Sequence, residues 1–145
     1  MKTKKRFEFL QHTTDAYIAA YGSTLEEAFE NAALAMFEVM TDTNKIEPKI
    51  EVKIEAEGFD EYSLLYDWLE KLLISFETTG NLYSKFKIEK ITKTEEGFKL
   101  KGKTWGEPFN PEKHPQRTAV KAVTYHLMEI IRENSSVTIK FLLDI

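Results

Sequence analysis

Two short stretches of this chain carry side chains that could do chemistry. Lys121-Ala122-Val123-Thr124-Tyr125-His126 sets a lysine, a threonine and a histidine into a run whose Val, Thr and Tyr favour a strand. At period two, Ala122, Thr124, His126 and Met128 share one face, and Lys121, Val123, Tyr125 and Leu127 share the other. Lys121 and His126 therefore leave by opposite faces of a regular strand, unless a bulge between them re-aims one. The second stretch is Asp144-Ile145, where an Asp carboxylate and the α-carboxylate fall within two residues of each other after the apolar run Val137 to Leu143. Near the other end, His12 and Asp15 sit in the polar segment Gln11-His12-Thr13-Thr14-Asp15, between two short apolar runs. Asp15, Asp144 and the Ile145 carboxylate are hard oxygen donors, suited to Ca²⁺, Mg²⁺ or Mn²⁺ rather than Zn²⁺. Spacing alone does not bring them together. Each residue also has a plainer reading: an Asx turn for Asp15, a polar chain end for Asp144, a strand-edge charge for Lys121 and a hydrogen-bonded core histidine for His126. His114, between Lys113 and Pro115, reads as an exposed loop residue.

The elements that must position these residues follow from periodicity. Phe7 to Leu10 and Ala16 to Tyr21 read as strands around the His12–Asp15 connection. Ser23-Thr24-Leu25-Glu26-Glu27 is a doubled capping-box pattern, and Leu25, Ala28, Phe29, Ala32, Met36, Phe37 and Met40 give the helix after it one buried face. Ile50 to Ala56 alternates with charged residues as a strand with one wet face. Leu64, Leu65, Trp68, Leu69, Leu72, Leu73 and Phe76 mark a second amphipathic helix, ended by Thr78-Thr79-Gly80-Asn81. Phe86 to Ile91 and Phe98 to Trp105 form a hairpin turning at Glu95-Glu96-Gly97, its outer face lined by Lys99, Lys101 and Lys103. Gly106 to Pro115, with three prolines in ten residues, reads as irregular and delivers the chain to Lys121. Lys121 to Ile130 is a strand, and Val137 to Leu143 is the returning arm of its hairpin. The sum is an α+β fold: a single compact domain over residues 1–145, with two amphipathic helices packed on a mixed, mostly antiparallel sheet.

Composition narrows the chemistry. The 145 residues contain no cysteine, which removes disulfides, thiolate metal sites and thiol catalysis, and they show no apolar run long enough to span a bilayer. A soluble, cytoplasmic protein is expected, with no membrane partner. The six glycines are scattered and none makes a phosphate-binding loop. The net charge of −4 is unevenly distributed: residues 26–78 carry 14 acidic and 4 basic side chains, a balance of −10, and residues 85–121 carry 10 basic and 5 acidic, a balance of +5. The sequence pI near 5.5 argues against a broad phosphate-binding footprint, so a protein partner is expected, and no DNA.

Taken in order, the Phe-x-Phe opening with His12-Thr13-Thr14-Asp15, the helix from Ser23 to Met40-Thr41-Asp42, the run Leu64 to Leu69, the Gly106-Glu107 loop, Lys121 to His126 and Asp144-Ile145 resemble the archease family over nearly the whole chain. Thr14 stands where the family more usually has Ala, and Tyr17 where a smaller or aliphatic residue is usual. The resemblance implies a protein cofactor and not an enzyme: an activator of the GTP-dependent RtcB-class tRNA-splicing RNA ligase, promoting its guanylylation and multiple turnover. It further implies that Asp15, Asp144 and Ile145 hold a divalent metal ion, Ca²⁺ foremost with Mg²⁺ or Mn²⁺ as alternatives. Lys121 matches the family's functional lysine, and His12 and His126 lie in matching motifs. Two other readings stand beside this one: a chaperone-like modulator of an RNA-modifying enzyme such as a tRNA methyltransferase, and a metal-dependent hydrolase with His12 or His126 as general base.

Overall fold

The computed structural model describes residues 5–11 and 14–145. Expectations about His12 lie outside the described residues. Among the described residues, eight strands and two helices follow in the order β1 (Phe7–Leu10), β2 (Ala16–Gly22), α1 (Leu25–Met40), β3 (Ile50–Gly58), α2 (Glu61–Thr79), β4 (Asn81–Thr94), β5 (Gly97–Pro108), β6 (Ala122–Val123), β7 (Glu129–Glu133) and β8 (Ser136–Asp144), with a short 3₁₀ turn at Thr43–Lys45. The α+β class and the antiparallel pairing agree with the sequence reading, but the strands divide into two sheets. One runs β1-β2-β8-β6, with β7 also paired to β8; the other runs β3-β5-β4. Every pair in both is antiparallel.

Helix α1 lies between the two sheets, against β2 and β8 on one side and β4 on the other. This explains why it is buried more broadly than a one-faced helix: Ala33, Leu34 and Ala35 join the expected face, two of them small enough to let a sheet approach. Thr24 is its N-cap, accepting from the Glu27 amide, while the Glu27 carboxylate reaches back to the Ser23 amide at 2.7 Å. Helix α2 covers β3 and β5 and begins at a capping box in which Asp60 accepts from the Ser63 amide and Ser63 Oγ accepts from the Asp60 amide. It stops at Gly80, whose φ of 78° is the left-handed conformation that a helix C-terminus favours and a side chain resists. The Trp68 indole N–H donates to the Phe29 carbonyl at 3.0 Å, tying α2 to α1 through the middle of one continuous core. Carboxylates from the helices also reach the outer strands of the three-stranded sheet: Asp67 accepts from the Glu57 amide at 2.9 Å, and Glu30 from the Ile88 amide at 2.8 Å.

The second hairpin is longer than its alternation suggested. β4 starts at Asn81, with irregularities at Tyr83/Lys85 and Ile88/Lys90 that break the period-two pattern. β5 runs on through Gly106 and Glu107 to Pro108, which tolerates its missing N–H because it occupies the last ladder position. Gly106 is required there: a Cβ would fall 1.7 Å from the Leu82 carbonyl oxygen.

His114 corrects an expectation, since it is buried and not an exposed loop residue. Its Nδ1 accepts from the Asn110 amide at 2.9 Å, which leaves Nε2 to donate to the Glu107 carboxylate, also at 2.9 Å. The same Glu107 oxygen accepts from the Glu47 amide at 3.0 Å and from Lys113 Nζ at 2.8 Å. Burial alone pushes the Glu107 carboxyl up, but the Lys113 ammonium, the Glu47 amide and His114 together outweigh it and bring it down to about 2 from an ordinary 4.5. A proline-rich loop is thereby pinned at its base. Beyond it, residues 115–121 run extended past the end of α1, with the Arg117 and Thr118 amides donating to the Met40 and Val39 carbonyls, and so reach β6.

Two outcomes test this packing. Leu69→Ala removes a side chain that is fully buried in the shared core, and should cost about 2–5 kcal/mol in urea unfolding through the cavity it leaves. The advantage of the native chain over Glu107→Gln should be complete above pH 4.5 and fade as pH falls toward about 2, because a carboxyl held low in the folded state contributes only while it is ionised; denaturant titrations at a series of pH values measure it.

Candidate functional site

Strand β8 decides where the chemistry-bearing residues go. On one side it pairs with β2, ending at Ala16 opposite Leu143, so that Asp15 lies one residue beyond the ladder beside Asp144. On its other side Ala122 pairs with Asp144 and Val123 with Leu143, and the Lys121 amide donates to the Asp144 carbonyl at 2.8 Å. The backbone register thus brings Asp15, Asp144 and Lys121 to one end of the five-stranded sheet, with Ile145 following directly. Asp144 and Lys121 are exposed, Asp15 and Ile145 half-buried. The Thr14 hydroxyl donates to the Asp15 carboxylate at 3.3 Å. Sequence separation had given no sign that these residues meet.

The stretch after Lys121 departs from the expected continuous strand. β6 is only two residues long, Thr124 Oγ1 donates to the Leu142 carbonyl at 2.9 Å, and ladder pairing resumes at Glu129 opposite Lys140. Residues 124–128 therefore oppose just two residues of β8, Phe141 and Leu142, and must loop outward. The excursion closes with a Met128 amide to Tyr125 carbonyl bond at 3.2 Å, and Leu127 takes a left-handed φ of 59°. His126 stands exposed on this turn, which overturns its reading as a core histidine and separates it from the strand end where Lys121 sits. Tyr125 instead stacks on Tyr66 of α2, with ring centroids 4.4 Å apart and planes 10° apart. Burial pushes both phenols up, and the neighbouring carboxylates Glu70 for both, Asp60 and Asp67 for Tyr125, add to it. This ring pair, which anchors the excursion to α2, was missed from the sequence, because Tyr66 and Tyr125 lie some sixty residues apart and nothing local links them.

Among the described residues the strand end offers oxygen donors without sulfur or a buried imidazole, and no three His, Asp or Glu side chains converge there. The carboxylates of Asp15 and Asp144, gathered at the end where Lys121 sits, are hard oxygen donors. Among the described residues, no helix is long and apolar enough to cross a membrane.

Comparison with known proteins places this architecture. Residues 7–145 match the family model described as Archease protein family (MTH1598/TM1083). A protein named Protein archease from Sulfolobus acidocaldarius is 53% identical over 97% of this chain and 99% of that one, and its namesake from Methanothermobacter thermautotrophicus is 49% identical over the same shares. The solution structure of Methanobacterium thermoautotrophicum protein 1598 superposes with a TM-score of 0.84 at 48% identity, covering 97% of this chain and 99% of that chain. Matched along almost its entire length in sequence and in fold, the chain belongs to the archease family.

Proposed function

We propose that this chain is a non-enzymatic activator of a GTP-dependent, RtcB-class tRNA-splicing RNA ligase in the cytoplasm, acting through a metal-binding strand end. The observation that carries this reading is the register that gathers Asp15, Asp144 and Lys121 at one end of β8. Asp15, Asp144 and the carboxylate of Ile145 would hold the divalent ion, Ca²⁺ being the best match to an all-oxygen set, with Mg²⁺ or Mn²⁺ as alternatives. When bound, the ion supplies a fixed positive charge that can bridge to a phosphate or carboxylate of the ligase. Lys121 adds a second cation on an exposed side chain, available to contact an anionic group as the ligase acquires its guanylyl intermediate, because its backbone rather than its ammonium secures it to the sheet. His12 and His126 flank this region in sequence, and His126, exposed on the excursion, would contact the partner rather than the ion. tRNA would be engaged through the ligase.

The test is a reconstituted ligation assay with Lys121→Ala and Asp144→Asn. Both side chains are exposed, so each variant should stay within about 0.5 kcal/mol of the native stability. Each should nevertheless abolish stimulation of multiple turnover. Full stimulation by folded Lys121→Ala would remove the lysine from the mechanism. Hydrolysis of a phosphoester panel by the isolated protein would point instead to a metal-dependent hydrolase.

Adding residues after Ile145 displaces the α-carboxylate. Calorimetry should then show weaker Ca²⁺ binding with an unchanged melting temperature; equal affinity would reduce Ile145 to an anchor.

A further inference from the structure

Lys121 aside, the positive charge excess of residues 85–121 lies away from the strand end, and the fold collects much of it on one surface. One face of the β3-β5-β4 sheet is covered by the helices; the other is open and carries cross-strand rows fixed by the register. Lys53, Lys103 and Lys87 lie directly opposite one another across all three strands, and Lys101 opposes Lys90 two residues along β5. Lys99 continues the β5 line on one side, and Trp105 on the other.

Like charges placed opposite one another in a sheet are destabilising. The compensation here is partial: Lys103 Nζ lies 3.7 Å from Glu89 and 4.0 Å from Glu51, at the limit of an ion pair and open to water, and the register sets Glu55 opposite Lys101 and Glu57 opposite Lys99. Glu89 apart, the acidic residues that border these rows, Glu51, Glu55 and Glu57, are confined to β3, so the cations form a band along β5 and β4 with an acidic border. Along β5 the lysines repeat every second residue, about 6.8 Å apart, and neighbouring strands lie about 4.8 Å apart. The Lys85 ammonium sits 4.7 Å from the centroid of Trp105, whose indole N–H donates to Glu51 at 3.1 Å, so the ring is held in place at the end of the band. Screening over about 10 Å at 0.1 M salt isolates the band from the overall negative charge.

We propose that this sheet face binds the phosphodiester backbone of a single-stranded polynucleotide along the lysine band, with Trp105 as a base-stacking platform. Cations on an extended track ended by an aromatic ring supply the two terms that single-strand binding uses: phosphate neutralisation and stacking. An acidic protein segment would use the lysines but has no base for the indole. The proposal does not rest on the ligase reading, since it concerns a different sheet and needs neither metal nor ligase.

The probe is a labelled 20-nucleotide oligouridine RNA, titrated with the full chain at 50 mM salt. Binding should quench tryptophan fluorescence, reporting on Trp105 because Trp68 is fully buried. The log of affinity should fall with the log of salt concentration. The triple variant Lys87→Gln, Lys101→Gln, Lys103→Gln should bind at least 10-fold more weakly, with a salt slope shallower by about 2, at about 0.7 for each phosphate no longer neutralised. Its melting temperature should be equal or higher, since like-charge rows have been relieved; a purely structural role for the lysines would lower it. The proposal is overturned if the native chain shows no binding at 50 mM salt, if the triple variant keeps the native affinity, or if a 20-residue polyglutamate binds as tightly as the RNA. Should the triple variant fail to fold, the native chain's salt slope and tryptophan quenching decide the matter.

Discussion

The backbone ladder of β8 is the constraint on which the rest depends. A strand hydrogen-bonded on both sides has its register fixed twice, and here the two partners are drawn from distant parts of the chain: β2 near the start, β6 and β7 just before β8 itself. Shifting β8 by one residue would turn Ile139, Phe141 and Leu143, all fully buried, toward the opposite face. The core therefore fixes the position of Asp144 relative to Asp15 and Lys121, although none of those three side chains is itself buried. Precision at the polar end comes from apolar packing a few residues away.

The excursion at residues 124–128 shows the opposite use of backbone. Both flanking segments return to the same edge of β8, so the loop is clamped at its base, while its tip presents Tyr125, His126 and Leu127 outward. A left-handed leucine and a Tyr–Tyr stack against α2 limit how far the tip can wander. Residues whose positions are set before an encounter leave less ordering to be done on binding.

How much of this was legible depended on whether the signal was local. The helices, the β3 alternation and the two hairpin turns were readable because periodicity and capping residues act within a few positions. The division into two sheets was not, since alternation shows that a strand has two faces but not which strand it joins. His114 was misjudged because its neighbours in sequence, Lys113 and Pro115, suggest solvent, whereas its burial depends on Glu107 seven residues back, on a strand that continues further than its prolines suggested. The strand expected through His126 failed at a bulge of unusual size, anchored by the Tyr66 ring some sixty residues upstream. Of the residues proposed at the strand end, their types were evident and their meeting was not.

The helix carboxylates that reach the three-stranded sheet have a consequence for how copies of this chain treat one another. A sheet with two free edges is a template on which a second chain can extend the ladder. Here Asp67 occupies an outward N–H of β3, Glu30 occupies one of β4, and the irregularities in β4 twist that edge out of line. An incoming strand would meet a negative charge already bonded where it needs a donor. The same side chains that dock the helices onto the sheet therefore discourage edge-to-edge assembly, keeping a lysine-lined, open-faced sheet from becoming the seed of a fibre.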